Sequence, residues 1–231
     1  MRSAEMPRVA QVTTGIRSVL SRPAIYNAMQ RLMGAKKLRA QNVRNHVRPF
    51  PGMRILDLGC GTAQYLGALP HDIAYVGFDM SPEYIAEARR KFGDRGTFHC
   101  RILEQAEVAS LEPFDLVMGT GVLHHLDDAS ARQFMAVAAS ALKPGGRIYT
   151  LDPCLAPGQN PIARFLISRD RGQHVRDAEG YRALTKSIPV TVTGRLVHQA
   201  WVPYTRWHME CQLMTEDIAS ASVRQVNRGD A

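Results

Sequence analysis

Short apolar runs alternate with amphipathic segments through the middle of the chain, and most of the runs end at glycine, proline or an acidic residue. Strands that alternate with helices predict a parallel sheet that is covered by helices on both faces, which is an α/β fold of the doubly wound, Rossmann-like type. Seven strands are predicted, at about residues 54–58, 74–78, 97–102, 114–118, 147–151, 190–197 and 205–213.

Three helices are predicted between the first five strands. The first covers about residues 62–69, and the second begins after Ser81, which is a suitable N-cap before Pro82 and Glu83. The third is capped by Asp127 or Asp128 and presents an apolar stripe that ends near residue 142.

The outer parts of the chain differ from this core. Residues 16–47 have a helical pattern with a break or a first helical turn at Pro23, and residues 153–187 are rich in charge and predict a loop with short helices. We therefore expect an N-terminal helical lid segment at 1–50, a binding domain at 51–218 with an insertion after the fifth strand at about 153–187, and a flexible tail at 219–231.

Composition limits the partners and the compartment. The 231 residues include 29 Lys and Arg against 21 Asp and Glu, and residues 31–48 contain six basic side chains and no acidic one. That stretch is either a solvated helix face or a surface for RNA, an anionic membrane or a phosphorylated substrate. Four scattered cysteines and the lack of an apolar run of about 18–20 residues predict a soluble, cytoplasmic protein without disulfides.

The most informative motif is the run at residues 54–62, in which an apolar strand ends at Asp57 and is followed by Gly59 and Gly61. Glycine permits a tight turn and a close approach to a ligand, and Asp79 ends the next strand, where doubly wound folds bind a ribose diol. A turn that binds a dinucleotide would place a third glycine where Gln64 stands, which disfavours an NAD-dependent oxidoreductase.

Residues 55–65, Asp79 and residues 114–119 together resemble the class I S-adenosylmethionine-dependent methyltransferases, in their small-molecule branch. The resemblance implies S-adenosylmethionine (SAM) as the cofactor and S-adenosylhomocysteine (SAH) as its product. It also implies that the last two strands pair at the sheet edge, with the last strand antiparallel.

The same resemblance implies a set of cofactor-binding residues. Asp57 would help to anchor the amino group of SAM, directly or through water. Asp79 would bind the ribose hydroxyls, and Met80 would pack on the adenine. At the adenine edge the sequence departs from the family, because Arg101 stands where many relatives have an acceptor. Either Glu104 or the backbone at Ile102 and Leu103 would then bind that edge. The remaining contacts would come from Gly59, Cys60, Gly61, Thr62 and Gly119.

The segment after the fourth strand contains His124 and His125 and lacks the Asn/Asp-Pro-Pro-aromatic motif of methyltransferases that act on exocyclic amino groups of bases. A histidine here resembles the small-molecule branch, and His125 is the candidate general base. The alternative is a histidine that only packs or starts a helix. No spacing of acids and histidines indicates a metal.

The sequence therefore favours methyl transfer to a small or medium acceptor, with oxygen as the favoured atom. Two alternatives stay open: a methyltransferase that acts on RNA or protein, and a catalytically silent SAM-binding scaffold. Arginines in the insertion favour an acceptor that carries carboxylate or phosphate. Residues expected to line the acceptor pocket are Tyr26, Arg31, Arg169, His174, Arg176, Tyr181, Tyr204, Arg206 and His208.

Overall fold

The computed structural model describes residues 35–168, 172–199 and 204–214. The predictions made for residues 1–34 and for the tail at 219–231, and with them Tyr26, Arg31 and Arg169, lie outside these ranges. The helices are α1 (Ala35–Asn42), α2 (Pro82–Phe92), α3 (Asp128–Ser140), α4 (Pro161–Ser168) and α5 (Ala178–Ala183). The strands are β1 (Arg54–Leu58), β2 (Ala74–Asp79), β3 (Gly96–Cys100), β4 (Phe114–Thr120), β5 (Leu142–Leu155), β6 (Arg176–Asp177), β7 (Val190–Gln199) and β8 (Tyr204–Leu213).

The strands form one sheet in the order β3-β2-β1-β4-β5-β8-β7. Strands β1 to β5 pair in parallel, and β8 lies antiparallel to both β5 and β7. The predicted Rossmann-like α/β fold with an antiparallel last strand is confirmed. The described sheet has eight strands rather than seven, because the insertion adds the two-residue strand β6 beside the end of β5.

The predicted helix at residues 62–69 is wrong: the structure has turns there, followed by a single 3-10 turn at Leu66–Ala68. Only eight residues separate Gly61 from Pro70, and Gly67 lies among them. Ala63 has a positive φ of 53°, and Leu69 is extended, as a residue before proline prefers. These constraints leave only residues 64–68 for helical structure, with Gly67 among them, and this segment forms a 3-10 turn.

The helices α2 and α3 begin as their sequences predict. The Ser81 hydroxyl accepts a hydrogen bond from the Tyr84 backbone N–H at 3.3 Å, and the Asp127 carboxylate accepts one from the Ser130 N–H at 2.8 Å. Of the two candidate caps for α3, Asp127 is therefore the one used. These helices pack on opposite faces of the sheet, since the buried residues of α2 and α3 belong to separate hydrophobic clusters.

The described part of the N-terminal segment is attached to the sheet. A short π-helical turn at Val43–Val47 follows α1 and buries two valines in the same cluster as Tyr149 of β5. The His46 ring stacks on that tyrosine at 5.0 Å, and its Nδ1 lies 2.7 Å from Glu210 Oε1 on β8. Arg48 forms an ion pair with the other Glu210 oxygen at 2.5 Å, so one cation of the basic stretch is neutralised.

Within the described ranges, no helix combines the length and the apolar character that crossing a bilayer would require.

Candidate functional site

The glycine turn after β1 has the tight backbone conformation that its two glycines predict. Gly59 and Gly61 have φ values of 77° and 54°, in the left-handed region that favours glycine. The Gly59 and Cys60 N–H groups both donate to the Phe78 carbonyl of β2, at 2.8 and 3.0 Å. A Cβ on Gly59 would lie 2.5 Å from Val122 Cγ2, whereas one on Gly61 would meet nothing within 4 Å. The turn is thus packed at its start and open at Gly61.

Asp79, at the end of β2, is bonded to this turn. Its Oδ2 accepts from the Gly61 N–H at 2.9 Å, and its Oδ1 accepts from the Ser81 N–H at 2.8 Å. Partial burial raises the pKa of Asp79, against the lowering effect of these backbone hydrogen bonds. Each carboxylate oxygen retains a second lone pair, so the group can still accept hydrogen bonds from a ligand.

Asp57, at the end of β1, is buried with 2% of its surface exposed. The Tyr75 hydroxyl donates to its Oδ2 at 2.6 Å, while Oδ1 has no hydrogen-bond partner among the described residues. Burial raises the pKa of Asp57 to about 7, although the hydrogen bond from Tyr75 acts in the opposite direction. A buried carboxylate oxygen without a donor is costly, which points to a missing polar or cationic partner.

The tips of β2 and β3 carry two exposed apolar side chains. Met80 is 50% exposed and Ile102 is 41% exposed, whereas the side chain of Leu103 is buried in the core. The Glu104 side chain accepts from the Glu107 N–H in a capping box. The Ile102 carbonyl accepts from the Arg101 guanidinium at 3.4 Å, so the Glu104 carboxylate and this backbone both already have a hydrogen bond within the protein. Which of them would bind the adenine edge stays a prediction.

Arg101 has partners of its own. Its guanidinium pairs with Glu107 and lies 5.2 Å from the centroid of the Phe78 ring. The residue that replaces the family's usual acceptor is therefore part of the packing beside β3.

The end of β4 places two histidines beside a buried acid. His124 is buried, and its Nδ1 lies 2.8 Å from Oδ1 of Asp152, which is 1% exposed at the end of β5. The backbone N–H of His124 also donates to this oxygen at 3.3 Å. His125 is half-buried, and its ring centroid lies 4.0 Å from that of His124. Gly119, earlier on β4, is buried against the ring of Phe134.

The insertion packs on this histidine segment. The His174 N–H donates to the His124 carbonyl at 3.0 Å, and Gly172 lies directly against the His124 ring. The Arg176 guanidinium donates to the carbonyls of Leu123 and Leu126 at 2.9 and 2.8 Å and pairs with Asp128 at 2.7 Å. Arg176, predicted to line the acceptor pocket, instead stabilises the loop that carries the histidines.

Two other residues expected at the pocket are buried in packing contacts. The Tyr181 hydroxyl donates to the Pro153 carbonyl at 2.8 Å, and His208 Nδ1 lies 3.0 Å from the Tyr149 hydroxyl. Burial lowers the pKa of His208 to about 4. Both side chains therefore contribute to the core of the fold, on opposite faces of the sheet.

The structure thus gathers most of the predicted residues at one edge of the sheet. Asp57, Asp79 and Gly119 lie at the carboxyl ends of the neighbouring strands β1, β2 and β4, where ligands bind in open parallel sheets. Sequence reasoning missed Tyr75 and Asp152, which contact the candidate residues Asp57 and His124. An acid directly after the apolar run at 148–151 was the available signal for Asp152.

Within the described residues, no group of three or more histidine, cysteine or acidic side chains is arranged to hold a metal ion.

Comparison with known proteins agrees with this architecture. A family model described as a methyltransferase domain matches residues 56–148. An O-methyltransferase from Pyrenophora dematioidea is 27% identical over 159 residues, covering 62% of this chain and 59% of that protein. A tRNA U34 carboxymethyltransferase from Pseudoalteromonas translucida (strain TAC 125) is 28% identical over 136 residues, covering 57% of this chain and 41% of that protein.

A solved structure of magnesium protoporphyrin IX methyltransferase from Synechocystis PCC 6803 with bound SAH has a TM-score of 0.60 at 16% identity, covering 85% of this chain and 97% of that chain. This likeness concerns the fold. The chain spans less than two thirds of the length of the two curated relatives named above. With the strand order and the glycine turn, the matched methyltransferase domain makes this chain similar to the class I S-adenosylmethionine-dependent methyltransferases.

Proposed function

We propose that this protein transfers a methyl group from SAM to an oxygen of a small or medium acceptor. The observation that carries the proposal is the open glycine turn between two carboxylates, at the same sheet edge as a histidine bonded to a buried aspartate. The O-methyltransferase relative supports an oxygen acceptor. The predicted cytoplasmic location stays a prediction.

The residues present fit SAM. The Asp57 oxygen without a partner suits the ammonium group at the methionine end, and the open space at Gly61 leaves room for the ligand beside the backbone of Gly59, Cys60 and Thr62. Asp79 suits the ribose hydroxyls as a bidentate acceptor. The exposed side chains of Met80 and Ile102 suit the two faces of adenine. The backbone at Ile102 and Leu103 would bind the adenine edge, and Gly119 would lie near the methionine end.

Bound SAM supplies an electrophilic methyl group, and its transfer requires close alignment with the acceptor atom. In our proposal His125 accepts the hydroxyl proton of the acceptor at a ring nitrogen, which is general-base catalysis. His124 does not fit this role as well, because it is buried beneath Gly172 and bonded to Asp152. The His124–Asp152 pair would instead fix the loop and the ring on which His125 packs.

A larger acceptor is the second candidate. Lys36, Lys37 and Arg44 are exposed in the described part of the basic stretch, and one relative is named as a tRNA-modifying enzyme. RNA binding through such cations weakens steeply with salt, because bound counterions are released from the phosphates. The arginine-rich insertion favours an anionic small acceptor, but Arg176 is already engaged with Asp128 and two carbonyls.

The test measures transfer of a labelled methyl group from SAM to a panel of phenols, hydroxylated carboxylates and bulk tRNA, at about 50 and about 200 mM salt. We expect turnover with a hydroxylated small molecule that changes less than about threefold between these salt concentrations, whereas a phosphate-binding mode predicts losses of about 10³-fold or more. Binding of SAM without turnover on any acceptor would support the scaffold alternative. Turnover on tRNA alone would support the second candidate.

Substitution of the two turn glycines by alanine should affect stability and SAH affinity differently. Gly59→Ala combines a left-handed backbone with a steric conflict against Val122, so we expect it to lower the free energy of unfolding by about 2–4 kcal/mol. Gly61→Ala carries only the backbone cost of about 1–2 kcal/mol. Its Cβ would enter the space assigned to SAM, so SAH affinity should fall at least about tenfold, as expected for a badly placed methyl group in a binding site.

Thermal unfolding and calorimetry with SAH measure these two effects. Val122→Ala in the Gly59→Ala background should recover part of the lost stability, because it removes the atom that the new Cβ meets. Equal effects of the two glycine substitutions on both stability and SAH affinity would contradict the assignment of the open side of the turn to SAM.

A further inference from the structure

Tyr75 lies beside Asp57 under the glycine turn, although nothing in the sequence motif includes it. In the parallel pairing of β1 with β2, Tyr75 is opposite Ile55 and Asp57 is opposite Gly77, two residues further along. Both side chains are buried, and the phenolic hydroxyl donates to Asp57 Oδ2 at 2.6 Å. A distance this short is typical of a hydrogen bond to an ionised carboxylate.

The surroundings of Asp57 contain no cation to balance its charge within the described part of the chain. The titratable side chains that face it are Tyr75 on β2, Cys60 and Tyr65 in the turn segment, and Asp79 at the tip of β2. All four are neutral or acidic, and among the described residues none donates to Oδ1. A positively charged group from outside would therefore suit this carboxylate.

We propose that Tyr75 is a positioning residue of the SAM site: its hydroxyl fixes Asp57 through Oδ2 and leaves Oδ1 as the acceptor for the ammonium group of SAM. This inference rests on the proposed assignment of Asp57 to the methionine end. Without the hydroxyl, the carboxylate loses its only side-chain donor in the described structure. It would then be free to rotate, and its ionised form would be less stable.

The pair gives SAM binding a defined dependence on pH. Burial raises the pKa of Asp57 to about 7 in the free protein, so near neutrality a large fraction is protonated. A bound ammonium group favours the ionised form and lowers that pKa. Affinity should therefore be full above pH 7 and decline by up to about tenfold per unit as the pH falls below about 7. Tyr75→Phe removes a contact that lowers the pKa, so it should move this decline to higher pH.

The experiment compares two ligands by calorimetry between about pH 5.5 and about pH 8.5. SAH carries the amino acid portion, whereas 5′-methylthioadenosine has the same nucleoside and a thioether but no ammonium group. We expect Tyr75→Phe to lower the affinity for SAH about tenfold at pH 7, which is the effect of one hydrogen bond to a charged group. The affinity for methylthioadenosine should stay within about twofold of the wild type. Tyr149→Phe, which removes another buried hydroxyl on the same sheet face, is the matched control and should change neither affinity.

The outcomes separate this inference from the assignment on which it rests. Asp57→Asn should lower the affinity for SAH and abolish the decline of that affinity below pH 7. If Asp57→Asn has no effect on SAH, the assignment of Asp57 fails. If Asp57→Asn weakens SAH but Tyr75→Phe does not, only the role of Tyr75 is overturned. Equal losses for SAH and methylthioadenosine in Tyr75→Phe would show a general distortion of the turn and would also overturn it.

Discussion

His125→Ala should lower kcat by about 100-fold or more while the affinity for SAH stays within about twofold of the wild type. General-base catalysis by a positioned histidine contributes about 10²–10⁴-fold, and this side chain is half-buried on the loop that follows β4. Its ring packs on His124 but it is not among the residues assigned to SAM. Steady-state kinetics on the accepted hydroxyl compound, with calorimetry for SAH, measure the two quantities separately.

A matched variant makes this prediction specific. His71→Ala removes an exposed histidine in the connection before β2 and should change neither quantity. Unchanged turnover in His125→Ala would remove this residue from the mechanism. A larger loss in His124→Ala, with the thermal stability intact, would transfer the role of base to His124.

Most of the sheet could be predicted because its strands are short apolar runs that end in turn-forming residues. The structure places β7 at Val190–Gln199 and β8 at Tyr204–Leu213, close to the predicted bounds. The failure after β1 has a local cause, since Gly67 and Pro70 oppose the helix that the alternation of strands and helices predicts there. The strand β6 could not be predicted because two residues carry no periodicity, and its pairing depends on where the insertion folds back.

Sequence reasoning identified candidate site residues where they form the glycine turn or end an apolar run. Gly59, Gly61 and Asp79 are recognisable from spacing alone, and the structure joins them by the hydrogen bond from the Gly61 N–H to Asp79. Tyr75 and Asp152 contact the site through strand register, which a single sequence does not specify. Arg176 was misjudged for a related reason: its partners are backbone carbonyls about 50 positions away in the chain.

Asp79→Ala should lower the affinity for SAH by about 100-fold or more. The carboxylate accepts backbone hydrogen bonds from Gly61 and Ser81, so its removal releases the glycine turn from the tip of β2. In our assignment it also accepts both ribose hydroxyls, and each hydrogen bond to a charged group contributes about 1.5–3 kcal/mol. The two ribose contacts together then account for a loss of about 3–6 kcal/mol in binding free energy.

Three companion measurements distinguish ligand contact from loss of the turn. Asp79→Asn keeps the size of the side chain and one carbonyl acceptor, so its SAH affinity should fall between those of the wild type and Asp79→Ala. The affinity of Asp79→Ala for methylthioadenosine, which retains the ribose, should fall in parallel with its affinity for SAH. In Tyr75→Phe, by contrast, only the affinity for SAH should fall. Asp94→Ala removes an exposed acid between α2 and β3 and should leave both affinities unchanged. An SAH affinity within about threefold of the wild type in Asp79→Ala would contradict the ribose assignment, because a carboxylate that binds the diol has no substitute nearby in the described turn.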